Sequence, residues 1–309
     1  MKAYLKFLIL TLMIALIVFE IITLGILTLP RGRFHSSYQS MIQDKYRILK
    51  ETNEPKIIMV SGSSSAFGLD QKMLEDATGY KVANLGLHMG FGYLFYTEMA
   101  KVNINAGDIV LVGYEYGWQH GFDWLDQSLI MTGIDDNIEM YTMIPPRKWP
   151  DFIGYLFKFA ETKRSYTETS GIYSREAFDS ETGQMTMVRD YSMEWDRELY
   201  GVIDVSNPAI SESSITYLKD FKQYVEERGA SIYFVAPPIL ADAIVCDYED
   251  FNTLKSLEEE QIGIEFISNP TDYIFPSDLM SNAIYHCNSA GEKVRTELLI
   301  EDLRKVLQK

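Results

Sequence analysis

The sequence predicts an α/β fold: a doubly wound, three-layer α/β/α domain with a mainly parallel sheet, preceded by one transmembrane helix. Two observations carry this expectation. From residue 56 onward, short β-branched apolar runs alternate with stretches of helical periodicity, and one long apolar segment fills the amino terminus.

Residues 7–29, FLILTLMIALIVFEIITLGILTL, are apolar apart from Glu20 and three threonines. At about 1.5 Å per helical residue, the segment is long enough to cross a ~30 Å hydrocarbon core. Lys2, Lys6 and the α-amino group precede it and Arg31 and Arg33 follow it, a balance that favours the amino terminus inside. The run exceeds a secretory signal core and no A-x-A-like cleavage site follows. The expectation is therefore an uncleaved anchor over residues 1–30, in a single-pass protein of the cell membrane with residues 31–309 extracytoplasmic. Glu20 lies mid-span, where a carboxyl group is either protonated or faces a polar partner such as a polytopic membrane protein.

After a polar connector, residues 56–60 (KIIMV) form a strand that runs into the tight turn Ser61-Gly62-Ser63-Ser64-Ser65. Asp70 is placed to cap a helix over 71–78, and residues 81–87 (KVANLGL) give a second strand. Residues 92–103 are apolar at helical spacing, and 107–116 (GDIVLVGYEY) give a third strand. An amphipathic helix over 211–228 leads through Gly229 into the strand ASIYFVAPP, and a last helix covers 290–307. Residues 117–207, rich in aromatics, acids and turn formers, break this rhythm and read as an insertion, a lid or substrate wall at the sheet's carboxyl edge.

Lysines and arginines total 28 against 44 acidic residues, a net charge of −16. So acidic a body argues against nucleic acid or anionic lipid as the main partner. Cys246 and Cys287 are too few for a disulfide scaffold and lack metal-ligand spacing, and their pairing is left open. No P-loop or dinucleotide fingerprint occurs, so neither a cofactor nor a metal is expected. The Gly/Ser-rich turn alone also suits a phosphate-binding domain, but that reading lacks a Walker lysine.

Ligands of open α/β sheets bind beyond the carboxyl ends of the strands. Those ends carry the serine cluster, a glycine-rich turn with Gly86, His88 and Gly90, and the pair Glu115-Tyr116. A serine on a sharp turn after a strand suits acyl transfer, because nearby N–H groups hold a developing oxyanion. His286, in YHCN before the last helix, can act as the general base.

Four blocks in order, SGSSSAFGLD, ANLGLHMGFG, GDIVLVGYEY and YHCNSAGEKVRTELL, resemble the signature blocks of SGNH/GDSL hydrolases. More narrowly they are similar to a bacterial, membrane-anchored branch associated with O-acylation of cell-envelope polysaccharides, written roughly GGSN-x-x-FG, NLG-x-x-x-G, GD-x-V-x-x-x-EY and YHLN-x-x-G-x-x-RT. The resemblance covers the sheet and last helix, not the insertion. It implies a flavodoxin-like layered fold, Ser63 as nucleophile with Ser64 as rival, and His286 as base. It implies Asn282 as the residue orienting that base, with the more distant Asp278 or no third member as alternatives, because the family's usual Asp position holds Ala283. The family's Asp before the nucleophile is Gly62 here, and its oxyanion-donating Asn is Glu115. Oxyanion donors are then expected from the serine turn, including Ser64, and from Gly86 or Gly90, with His88, Glu115, Tyr116 and Asn288 at the substrate. Trp118, His120, Phe122 and Trp124 either stack sugar rings or form the insertion's own core, the second being expected.

The function expected is a Ser/His O-acyltransferase or esterase acting outside the membrane on acyl esters, acetyl above all, of cell-envelope or exopolysaccharide sugars, alongside a membrane-bound O-acyltransferase. The alternative is a non-catalytic subunit of similar fold that binds glycan or scaffolds such an acyltransferase.

Overall fold

The computed structural model describes residues 2–307. Helix α1 (Lys2–Thr28) is long and apolar enough to span a membrane, and its side chains are exposed until its last two turns. A connector leads into α2 (Met41–Glu51) and then into the sheet.

The sheet has β1 (Lys56–Ser61), β2 (Lys81–Asn84), β3 (Ile109–Gly113) and β4 (Ser231–Phe234) in the order β2-β1-β3-β4, every pair parallel. The near-continuous apolar runs follow from burial on both faces. Ile58 and Val60 point into the core shared with α2, α4 (Tyr93–Ala100) and α7 (Glu212–Glu226). Ile57 and Met59 point the other way, against α3 (Gln71–Thr78) and α9 (Ser289–Leu307). The Asp70 carboxylate accepts from the Met73 N–H and so starts α3 where expected, and Ser211 caps α7 in the same way.

Three strands are shorter than the sequence pattern suggests, β4 among them, which ends at Phe234 before the APP run. β2 ends at Asn84 because its side chain turns back onto the serine turn, and β3 ends at Gly113, leaving Glu115 beyond the sheet edge. Within the insertion, α5 (Gln127–Ile134) and α6 (Trp149–Ser165) share the core of α2 and the connector. Trp118 and Phe122 are part of that same core, Trp118 stacking on Phe234, whereas His120 and Trp124 are exposed. After β4 the chain passes through β5 (Ile239–Leu240), α8 (Tyr248–Ile262) and β6 (Ile274–Phe275), the two short strands pairing in parallel, before α9. Both cysteines are free thiols, Cys287 buried and Cys246 partly exposed.

One ion pair fixes the start of the sheet. Lys56 Nζ lies 2.7 Å from Asp108 Oδ2, both side chains are fully buried, and Asp108 also accepts from the N–H groups of Lys56 and Asn105. Removing the carboxylate strands a buried ammonium. Asp108→Ala is expected to cost about 3–5 kcal/mol, measured by chemical denaturation of the full chain in detergent.

Candidate active site

The serine turn occupies the carboxyl end of β1, where Ser63–Ala66 form a single helical turn. Its geometry is set by a small polar core. Ser61 Oγ and Ser65 Oγ are hydrogen-bonded to each other, Ser65 Oγ bonds Asn84 Oδ1 at 2.8 Å, and Asn84 Nδ2 returns a bond of 2.9 Å to the Ser65 carbonyl. Lys45 of α2 donates to the Asn84 carbonyl, and burial pulls its pKa down to about 7. Ser61, Ser65 and Asn84 are thus structural. The residue most closely tied to the turn is Asn84, which the NLG block contains but spacing alone did not single out.

The two remaining serines differ. Among the described residues, the fully buried Ser64 has no partner for its Oγ, and the partly exposed Ser63 makes no hydrogen bond through its own. Ser63 is the accessible hydroxyl of the pair.

Glu115 explains two departures at once. Its carboxylate fills the space a side chain at position 62 would take: a Cβ on Gly62 would lie 2.4 to 2.8 Å from the carboxylate atoms. Its Oε1 accepts from the Ser64 N–H at 2.7 Å, while Oε2 is buried without a partner. Burial raises the Glu115 pKa, opposed by the hydrogen bond from the Ser64 N–H and by Arg295, whose Nη1 donates to the Ser64 carbonyl at 3.2 Å. A carboxyl group held toward its neutral form can donate through the second oxygen.

His286 stacks on Phe67, the residue that follows the serine turn: the two rings lie flat against each other, centroids 3.9 Å apart and planes 2° off parallel. His286 Nδ1 is 2.9 Å from Asn282 Oδ1, and Asn282 Nδ2 donates to the Tyr173 hydroxyl at 2.7 Å. With its amide nitrogen used in that way, Asn282 presents an acceptor, so the proton belongs on Nδ1 and the Nε2 lone pair is left for chemistry. Burial, with His88 and the Arg189 guanidinium nearby, pulls the imidazole down to about 3. It is a neutral, weak base. No hydrogen bond joins Ser63 Oγ to His286 among the described residues.

Neither glycine expected in an oxyanion hole has a free N–H. Gly86 donates to Asn84 Oδ1 at 3.1 Å and Gly90 to His88 Nδ1 at 2.9 Å. The Gly86 site is close-packed, a Cβ there falling 2.0 Å from Ser65 Oγ. His88 is tied up as the cap of the turn at residues 89–91, and burial lowers its pKa. Asn288 corrects another expectation: its amide nitrogen reaches the Asp278 and Tyr191 carbonyls and its oxygen accepts from the Ala290 and Gly291 N–H groups, so it caps α9 rather than facing a substrate. Tyr116 packs edge-on against Phe251 and lines a cleft of about 220 Å³ with His120 and Tyr285, the residue before His286. Asp278 has its backbone in the Asn288 contact and makes no bond to His286.

No protein-family model and no curated protein matches this chain. The geometry therefore carries the functional reading. Three contributors lie outside the sequence blocks' expected roles. Tyr173 and Arg189 come from the insertion, where neither composition nor periodicity marks them, and Phe67 is the aromatic of the SGSSSAFG block. Arg189 is buried, bonds the carbonyls of Phe67 and Cys287, and pairs with Glu292 at 2.7 Å.

The Gly62–Glu115 fit is measurable. Gly62→Ala is expected to cost about 1–3 kcal/mol by overpacking, and most of that cost should vanish on a Glu115→Ala background. A size penalty independent of Glu115 would refute the fit. Because the folded-state pKa of Glu115 is raised, wild-type stability falls as pH climbs through the unfolded carboxyl range, near about 4.3, toward the folded value. Glu115→Gln removes that loss, so its stability relative to wild type should improve as pH rises, read from denaturation midpoints across the range.

Proposed function

We propose that the chain is a membrane-anchored serine esterase or O-acyltransferase of the SGNH type, its domain outside the cytoplasm, with Ser63 as nucleophile and His286 as base. What supports this is a partly exposed Ser63 hydroxyl, unbonded among the described residues, on the serine turn, and an imidazole stacked on Phe67 of the same block whose Nδ1 is held by Asn282. Ser63 Oγ attacks an acyl carbonyl, Nε2 of His286 takes its proton and returns it to the leaving oxygen, and a water or a sugar hydroxyl then releases the acyl group. Asn282 orients the ring without the negative charge that would stabilise an imidazolium, so proton transfer is slow compared with a site holding an Asp. The substrate class, acyl esters of envelope or exopolysaccharide sugars, rests on the resemblance of the four blocks and on the anchor, as does a membrane-bound O-acyltransferase as acyl donor.

A second reading has its own observation. The engaged N–H groups of Ser64, Gly86 and Gly90 leave the oxyanion without those donors, which suits a non-catalytic subunit of similar fold.

An activated-ester or fluorophosphonate probe on the full chain in detergent separates the two. Labelling is expected to reside on Ser63, to disappear in Ser63→Ala, to survive in Ser64→Ala, and to fall by at least about tenfold in His286→Ala. Since the imidazole is already neutral above about pH 3, the labelling rate should show no acid limb between about pH 5 and 8. Equal labelling of wild type and Ser63→Ala would favour the subunit.

A further inference from the structure

We infer that α6 is a membrane-interface element, which seats the globular domain in the bilayer surface beside α1 instead of leaving it tethered above it. The inference rests on α1 being the membrane span.

The domain reaches down the anchor. Lys163 of α6 donates to the Leu27 carbonyl at 2.8 Å and is itself paired with the buried Asp135 at 2.7 Å, while Arg33 donates to the Lys163 and Tyr166 carbonyls. Below this clasp, Ile22, Gly25 and Ile26 of α1 and Ala160 and Arg164 of α6 wall an open cleft of about 680 Å³. Ile22 lies roughly 10 Å along the helix from Leu29, the end of the apolar run. With a ~30 Å hydrocarbon core around that run, α6 meets α1 at or below the level of the lipid headgroups.

The surface α6 presents there is apolar. Its inner face, Phe152, Leu156 and Phe159, is buried in the domain core. The adjacent stripe holds Ile153, 42% exposed, and Phe157, 77% exposed, four residues apart and on the same face as Arg164. Phe157 shares with Leu199 the highest exposure of any large apolar side chain outside α1 among the described residues. A Phe so exposed in water is unfavourable; in the acyl boundary of a bilayer it is buried. The cleft is mainly cationic although the chain carries −16 overall: Glu168 is the one acid in its wall, and Arg31 and Arg164 are exposed and form no ion pair among the described residues, with lipid phosphates as their natural counter-charge. The occupant of this face is thus the bilayer surface, with a phospholipid in the cleft.

The full chain with Cys246→Ser, reconstituted into phosphatidylcholine/phosphatidylglycerol vesicles, tests this with an environment-sensitive fluorophore on a single introduced cysteine at Leu12, Phe157 or Glu297, the last lying on α9 across the sheet. Nitroxide-bearing acyl chains are expected to quench the label at Phe157→Cys nearly as strongly as at Leu12→Cys, and to leave Glu297→Cys bright. Quenching at Leu12 with a bright, water-like label at Phe157 would overturn the seating of α6 while leaving the span intact. A bright label at Leu12 would overturn the span and the seating together. Because Phe157 is already on the surface, its replacement leaves the fold in place, and a near-native denaturation midpoint verifies this for each variant.

Discussion

The arrangement at the carboxyl edge of the sheet depends on where the Glu115 carboxylate goes. It lies against the missing side chain of Gly62 and takes the Ser64 N–H, so it sets the backbone path of the serine turn from one side while Asn84 sets it from the other. Neither position is intelligible alone. A side chain at 62 and the carboxylate of Glu115 cannot occupy the same volume, so the glycine of the turn and the Glu beyond the end of β3 go together.

That placement has an electrostatic consequence. A carboxylate buried beside Ser64 is disfavoured in its charged form, and the compensation on hand is one backbone N–H and the nearby Arg295. Glu115 Oε2 and Ser64 Oγ are both buried without a hydrogen-bond partner among the described residues.

The fold was legible in the sequence wherever a local rule decides it. β1, the start of α3 at Asp70 and the extent of α9 lie within about a residue of expectation because β-branched runs, caps and periodicity act over a few neighbours. β2 falls short of its apolar pattern because Asn84 has a tertiary task. In the site, Ser64 and Glu115 meet at the serine turn that carries Ser63, and Asn282 and His286 pair with each other against Phe67, while Asn288, Gly86 and Gly90 have the right residue types but their polar groups are already satisfied within the protein. Hydrogen-bond satisfaction is a three-dimensional property that no spacing encodes. Tyr173 and Arg189 belong to the insertion, whose contribution to the site arises from its packing against the connector and α9.

Tyr173 and Arg189 also show that the insertion is part of the base's environment. Tyr173 holds the amide of Asn282, which holds the imidazole, and its ring packs on Phe67, on which the imidazole lies. Arg189 bonds the Phe67 carbonyl and, by its charge, opposes protonation of His286. A neutral orienting residue and a nearby cation both lower the basicity of Nε2, so the site trades proton affinity for a fixed tautomer. On the proposed reading such a base suits an acyl-enzyme that forms slowly, and a domain seated at the bilayer by α6 would meet donor and acceptor at that surface.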